Sequence, residues 1–221
     1  MPLITFEDIK NNKEFKTYIE IGDKHLGVKG YTKHDFGHVT NVSVTAGNIL
    51  AILGFTKREV ELAKIAGYIH DIGNMVNREE HAQTGACLCF NILTRLGMEP
   101  EEIATVVSAV GNHDEEVGSP INPVSAALIL GDKTDVRRSR VRNTDFATFD
   151  IHDRVNYAVE KATVKVDGVN KSIELELTID TSICPLMEYF EIFITRMMLC
   201  RKAADFLNAK FKLTMNGTKM L

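Results

Sequence analysis

The stretch Gly67-Tyr68-Ile69-His70-Asp71-Ile72-Gly73 constrains this chain more than any other. An imidazole and a carboxylate stand side by side at the end of an apolar helical run, with a glycine stop behind them. A lone His-Asp pair is a weak signal, because it arises by chance in many chains. Here further His and Asp residues stand before and after it, each on the apolar face of an expected helix. Burying one such group without a partner costs roughly 1–3 kcal/mol, and more if it is charged. A bound metal would satisfy them together.

The helices that carry these residues are legible from their periodicity. Residues 6–27 read as helix, followed by a loop through Gly27, Gly30 and Tyr31-Thr32-Lys33-His34-Asp35. Helix resumes near Asp35, with Val39, Val42, Ala46, Ile49 and Leu53 inward and Gly54 as its stop. Thr56-Lys57-Arg58-Glu59 is a capping box for the helix that delivers His70 and Asp71. Further helices are expected from about Glu80 to Leu96, from Pro100, and from Asn122-Pro123. On this frame His38, His70, Asp71, His81, His113 and Asp132 all face one interior. A single inward His is more often a hydrogen-bonded core histidine than a ligand. Core histidines, however, have no reason to share an inward face across five helices. Four imidazoles and two carboxylates suit iron, manganese, cobalt, nickel or zinc.

After the basic run Arg137-Arg138-Ser139-Arg140-Val141-Arg142 the period changes. Ala162, Val164 and Val166 alternate with polar residues, as do Ile173, Leu175, Leu177 and Ile179, with Asp167-Gly168 as the turn between two strands. Pairing Val164 with Ile173 would set Lys161 opposite Glu176. Cys184-Pro185 opens a long helix to about Ala209, and residues 211–215 read as one more strand. The expected organisation is a mainly α chain. Residues 1–145 form a helical metal-binding domain, and residues 146–221 a small α+β unit of β-hairpin plus long helix. That unit is expected to pack on the helical body or to build a homodimer.

A chain of 221 residues, 44% hydrophobic and 25% charged, buries a sizeable core. Its formal net charge of -4 argues against long nucleic acids and membrane surfaces as partners. The N-terminal stretch lacks the pattern of a signal peptide, and no apolar run reads as a membrane span. Cys87, Cys89, Cys184 and Cys200 match no zinc-knuckle spacing and read as reduced thiols. The expectation is a cytoplasmic protein.

The order His … His-Asp … His … His … Asp resembles the HD superfamily of metal-dependent phosphohydrolases, over roughly residues 20–143. Asp35-Phe36-Gly37-His38-Val39-Thr40-Asn41-Val42 is similar to that family's first-histidine helix, and Gly67 to Gly73 resembles its signature. His81-Ala82-Gln83-Thr84-Gly85-Ala86 and Asn112-His113-Asp114 resemble the extra histidines of its dinuclear branch, and Gly131-Asp132-Lys133 closes the set. The nearest branch is that of the di-iron dinucleoside-tetraphosphate hydrolases. The resemblance implies an all-helical domain with Asp71 as a bridging carboxylate. His38, His70 and Asp132 would then hold one ion, and His81 and His113 the other. Two divalent or trivalent ions are expected, iron foremost, with manganese or another first-row metal as alternatives. A lysine that often follows the signature in related branches is Asn74 here.

The expected activity is hydrolysis of a phosphoester or phosphoanhydride in a small nucleotide substrate by a metal-activated hydroxide. Asp71 and Lys133 are the expected catalytic residues. Lys33, His34, Lys133, Arg137 and Arg138 are expected to bind substrate phosphate. Two other classes stay open, a mixed-valence di-iron oxygenase of the same superfamily and a non-catalytic module that binds metal or nucleotide.

Overall fold

The computed structural model describes residues 3–221; Met1 and Pro2, part of the stretch read for a signal peptide, lie outside it. Helices α1 (Phe6–Asn11) and α2 (Lys13–Val28) replace the single N-terminal helix expected from periodicity. Asn12 divides them: its side chain accepts from the backbone N–H groups of Glu14 and Phe15 and so caps α2. The body continues with α3 (Phe36–Leu53), α4 (Lys57–Ile69), a 3-10 turn (Ile72–Met75), α5 (His81–Leu96), α6 (Pro100–Gly111) and α7 (Pro123–Lys133). Thr56 and Glu59 form the expected capping box on α4, and Asn122 and Ser125 form another on α7.

Helix α3 is the centre of the body, packed against α4 and α7. By length and composition it is apolar enough to cross a bilayer, contrary to the reading of the sequence, but half of it is buried inside the fold. Close crossings make this packing possible. A Cβ on Gly67 would lie 2.7 Å from the Ser43 Cα, and one on Gly131 would lie 2.8 Å from the Val42 carbonyl oxygen. Both partners are backbone of α3, so only glycine lets α4 and α7 approach it this closely.

The C-terminal part holds α8 (Ile151–Ala158), β1 (Val159–Asp167), β2 (Ser172–Ile179), α9 (Leu186–Phe206), β3 (Lys210–Met215) and β4 (Thr218–Lys219). The strands form one sheet in the order β1-β2-β3-β4; β2 and β3 run parallel and the other pairs antiparallel. The hairpin register differs from the expected one. Asp167 pairs with Ser172 and Val164 with Leu175, so Lys161 lies opposite Thr178 rather than Glu176. The cause is an Asx turn: the Asp167 carboxylate accepts from the N–H groups of Val169 and Asn170, which lengthens the connection. The hairpin tip rests on the end of α3, where Lys171 Nζ donates to the Leu53 carbonyl at 2.9 Å. Helix α9 ends at Phe206, short of Ala209, because Asn208 adopts a left-handed conformation ahead of β3. Its buried residues, among them Tyr189, Phe193, Met197 and Cys200, belong to the same apolar cluster as Leu128 and Ile129 of α7. The four cysteines are free thiols, with Cys87 exposed and the others buried.

Candidate metal centre

The six inward residues converge where the ends of five helices meet. His38 lies in the first turn of α3, where Asp35 caps its backbone N–H. His70 and Asp71 leave α4, and His81 opens α5 after a left-handed Glu80. His113 follows α6 by two residues, beyond the helix on which its spacing had set it, and Asp132 is in the last turn of α7. All four imidazoles are buried, and Asp71 is 7% exposed.

The Asp71 carboxylate divides the group. Its Oδ2 lies 3.1 Å from His70 Nε2 and 3.5 Å from His38 Nε2. Its Oδ1 lies 3.5 Å from His81 Nε2 and 3.9 Å from His113 Nε2. Asp132 Oδ1 joins the first set, 3.3 Å from His38 Nε2 and 3.7 Å from His70 Nε2.

The far side of every ring is already engaged. His70, His81 and His113 donate Nδ1–H to the carbonyls of Gly67, Arg78 and Val110 at 2.9, 2.9 and 2.6 Å. A carbonyl only accepts, so a proton sits on Nδ1, and each ring in its neutral form presents a bare Nε2 lone pair inward. His38 Nδ1 lies 2.7 Å from Asp135 Oδ2. Such outer contacts orient imidazole ligands toward a metal.

Inside, the polar atoms lack partners. His38 Nε2, His70 Nε2 and Asp71 Oδ2 are buried with no hydrogen bond. His81 Nε2 and His113 Nε2 face each other across 3.2 Å. Two facing lone pairs repel unless a cation lies between or beside them. Nitrogen and carboxylate donors of this kind fit first-row divalent or trivalent ions. Burial alone would depress the His70 imidazole, but the Asp71 and Asp132 carboxylates outweigh it and lift it to about 10, so with no cation among them this ring takes a second proton at Nε2, the atom that a bound metal would claim instead. Burial holds His81 and His113 low and therefore neutral. The group thus gathers carboxylates at one side and free imidazole lone pairs at the other.

Around the donors lies a supporting layer. Asn74, at the position of the absent lysine, donates to Asp71 Oδ1 at 2.9 Å and to the Asp71 carbonyl at 3.0 Å. Lys133 Nζ sits between Asp132 Oδ2 at 2.7 Å and Glu115 Oε2 at 2.6 Å. Its charge is spent on holding Asp132. The buried Arg140 donates to the Asp135 and Lys33 carbonyls. The Arg78 Nη1 lies 3.3 Å from His81 Nε2 and 4.0 Å from Asp71 Oδ1.

A cleft of about 530 Å³ opens over Asp71, His81, His113 and Asp132. Of the residues expected to bind substrate, His34 and Lys133 line it. Lys33, Arg137 and Arg138 are not among its lining residues. Arg137 pairs with Asp135, and Arg138 lies over the Tyr157 ring at 4.6 Å and donates to the Tyr157 carbonyl. A 3-10 turn, Arg138–Arg140, directs this basic run into the fold. The sequence reading missed Arg78, Glu115 and Arg196, which line the cleft, and Asp135, which backs His38. Only Asp135 had a local signal, lying one helical turn after Asp132.

The family model described as HD domain matches residues 35–137, the span from α3 to just past α7. The likeness to the HD domain is confined to that segment, a little under half of the chain. The chain is also 25% identical over 201 residues to an uncharacterized protein of Methanocaldococcus jannaschii, covering 80% of this chain and 76% of that one. A ribonuclease Y of Thermosipho melanesiensis is 32% identical over 147 residues, 65% of this chain and 24% of that protein. Ribonuclease Y 1 of Pediococcus pentosaceus is 28% identical over 149 residues, 66% and 26% of the two chains. The chain therefore spans about a quarter of the ribonuclease Y proteins it matches. A crystal structure described as a predicted HD superfamily hydrolase, from an uncultured Thermotogales bacterium, superposes with a TM-score of 0.46 at 21% identity, over 57% of this chain and 68% of that one.

Proposed function

We propose that this chain is a metal-dependent phosphohydrolase that cleaves a phosphoester or phosphoanhydride of a small nucleotide. The observation that carries the reading is the division of the Asp71 oxygens between two histidine pairs, with buried donor atoms that no protein group satisfies. His38, His70 and Asp132 would hold one ion, His81 and His113 a second, and Asp71 would bridge them. Iron is the preferred metal, with manganese as the alternative. The bound ions would supply a Lewis acid and a water acidified toward hydroxide.

The chain's own residues do the rest. The Nδ1 contacts keep the four Nε2 lone pairs aimed inward without reorganisation. Lys133 holds Asp132 in place, and Asn74 holds Asp71. The cleft has the size of a small-ligand site rather than of a long groove. His34 lies at its wall with Nδ1 turned to the Thr32 carbonyl, which leaves Nε2 for a ligand.

A second reading keeps the chemistry and enlarges the substrate. The names of the ribonuclease Y relatives favour an RNA phosphodiester.

One experiment tests both. Protein purified without chelator should contain about two metal ions per chain, and a panel of nucleotides, model phosphoesters and short RNA should identify a substrate. Asp71→Ala should lose the metals and all turnover. One tightly held ion, unchanged in His81→Ala and His113→Ala, would reject the two-ion site. Full turnover in Asp71→Ala would assign the activity to a contaminant, and turnover that requires molecular oxygen would move the protein to oxygenase chemistry.

A further inference from the structure

Helix α9 lies outside the segment that matches the HD domain, yet two of its side chains, Phe193 and Arg196, line the cleft. Arg196 is fixed at two points. Its Nε donates to Glu115 Oε1 at 3.0 Å, and its guanidinium carbon sits 4.6 Å from the centroid of the Phe193 ring, itself 1% exposed. Four of the five guanidinium N–H groups are on Nη1 and Nη2. Among the described residues, the Nε bond to Glu115 is the one hydrogen bond this side chain makes. The side chain keeps 24% of its surface exposed. The fork is therefore held still while its outer donors have no protein acceptor.

The charges nearby point to what that fork meets. Glu115 is already shared, its second oxygen lying on Lys133 Nζ. Lys133 in turn holds Asp132 Oδ2, while Asp132 Oδ1 faces His38 and His70. Once Asp132 is committed to the metal centre, Lys133, Glu115 and Arg196 together keep one positive charge, and Arg196 is the member with open donors. Over the whole cleft the lining carboxylates outnumber the lysines and arginines nine to five. An anion entering such a cleft needs a fixed cation aimed at it. A guanidinium fork with paired outer donors matches two oxygens of one phosphate.

We propose that Arg196 is the phosphate-binding residue of the cleft, its free Nη donors gripping the non-bridging oxygens of a phosphate group on the ligand. Arg196 thereby replaces Arg137 and Arg138 in the role expected of the basic run. The assignment rests on the phosphohydrolase reading for its choice of anion. It gives the C-terminal unit a direct part in a site whose metal donors all lie in the segment that matches the HD domain.

Titration calorimetry of inorganic phosphate into manganese-loaded full-length protein tests it. Arg196→Gln should weaken phosphate binding about 10- to 100-fold, the range for losing a charge-assisted contact. Its manganese content should match wild type. Arg196→Lys, which keeps the charge and loses the fork, should fall between them. Wild-type affinity in Arg196→Gln would overturn the assignment. So would a loss of phosphate binding that follows a loss of manganese, since Arg196 would then act only by propping Glu115, Lys133 and Asp132. No phosphate binding by loaded wild-type protein would overturn it too. The two proposals fail separately. Arginine-dependent phosphate binding without turnover of any phosphoester would keep Arg196 and reject the hydrolase. Turnover with phosphate binding indifferent to Arg196 would do the reverse.

Discussion

At the scale of single residues, the centre depends as much on what stands behind the imidazoles as on the imidazoles. Asp135 shows this. Its Oδ2 holds His38 Nδ1 at 2.7 Å, while Oδ1 accepts from Asn41 Nδ2 at 2.8 Å. Burial would raise the Asp135 carboxyl, but the hydrogen bond from His38 and the charges of His38, Arg140 and Arg137 hold it down at about 2. It is therefore a carboxylate throughout the neutral range. Replacing it by Asn keeps the shape and removes the charge that orients and polarises the ring. Losing an outer partner of this type typically costs 10- to 100-fold in metal affinity, so Asp135→Asn should lose about that much at the His38 position. Competition with a coloured chelator would measure it, with thermal melting to confirm the fold. Unchanged affinity at both positions would show that Asp135 serves only Arg137 and Arg140. The sequence displayed the six donors because each stands in, or within two residues of, a helix whose apolar face is legible. It could not display Arg196 or Glu115, whose roles depend on α9 folding back across α7. It misdirected the basic run for the opposite reason: adjacency in sequence to Asp132 did not mean adjacency in space, since a 3-10 turn carries Arg138 away.

At the scale of elements, the glycine behind the His-Asp pair has a different reason from the one its place in the sequence suggests. Gly73 does not adopt a left-handed conformation and is not a helix stop; it belongs to the 3-10 turn. A Cβ there would lie 1.9 Å from the His81 carbonyl oxygen and 2.7 Å from the Gly85 nitrogen, both backbone of α5. Gly73 thus sets how closely α5 approaches the turn that carries Asp71. Gly73→Ala must push the two apart. Overpacking of this kind costs about 1–3 kcal/mol and here acts on His81 directly. The variant should melt at lower temperature and lose the ion at the His81 and His113 position before the other. Metal analysis alongside calorimetric melting would test that order, and a variant with wild-type stability and two ions would refute it. Helix positions and caps were legible because apolar spacing and capping residues act locally. The break at Asn12 and the hairpin register were not, since both hang on which backbone groups one side chain captures.

At the scale of the whole molecule, the helical body and the C-terminal part share a core. Val155, Leu175 and Phe193 lie in the same apolar cluster as Leu128, Val42 and Ile69. The buried face of α9 covers α7, the helix that carries Asp132 and Lys133. The hairpin adds a polar anchor, because Lys171 satisfies a carbonyl at the end of α3 that the helix leaves open. Truncation after Asn143 removes these contacts together. It strips cover from Leu128 and Ile129, which are fully buried in the intact chain, and a patch of that kind drives association. The truncated protein should bind a hydrophobic dye, elute as aggregate or altered oligomer in size-exclusion chromatography, and lose its sharp melting transition. Metal affinity should fall with it, since α7, which carries Asp132, loses the face of α9 that packs against it. A soluble monomer with the intact protein's melting temperature and metal content would mean that α9 and the sheet contribute nothing to the stability of the body, and the shared core would have to be judged energetically idle.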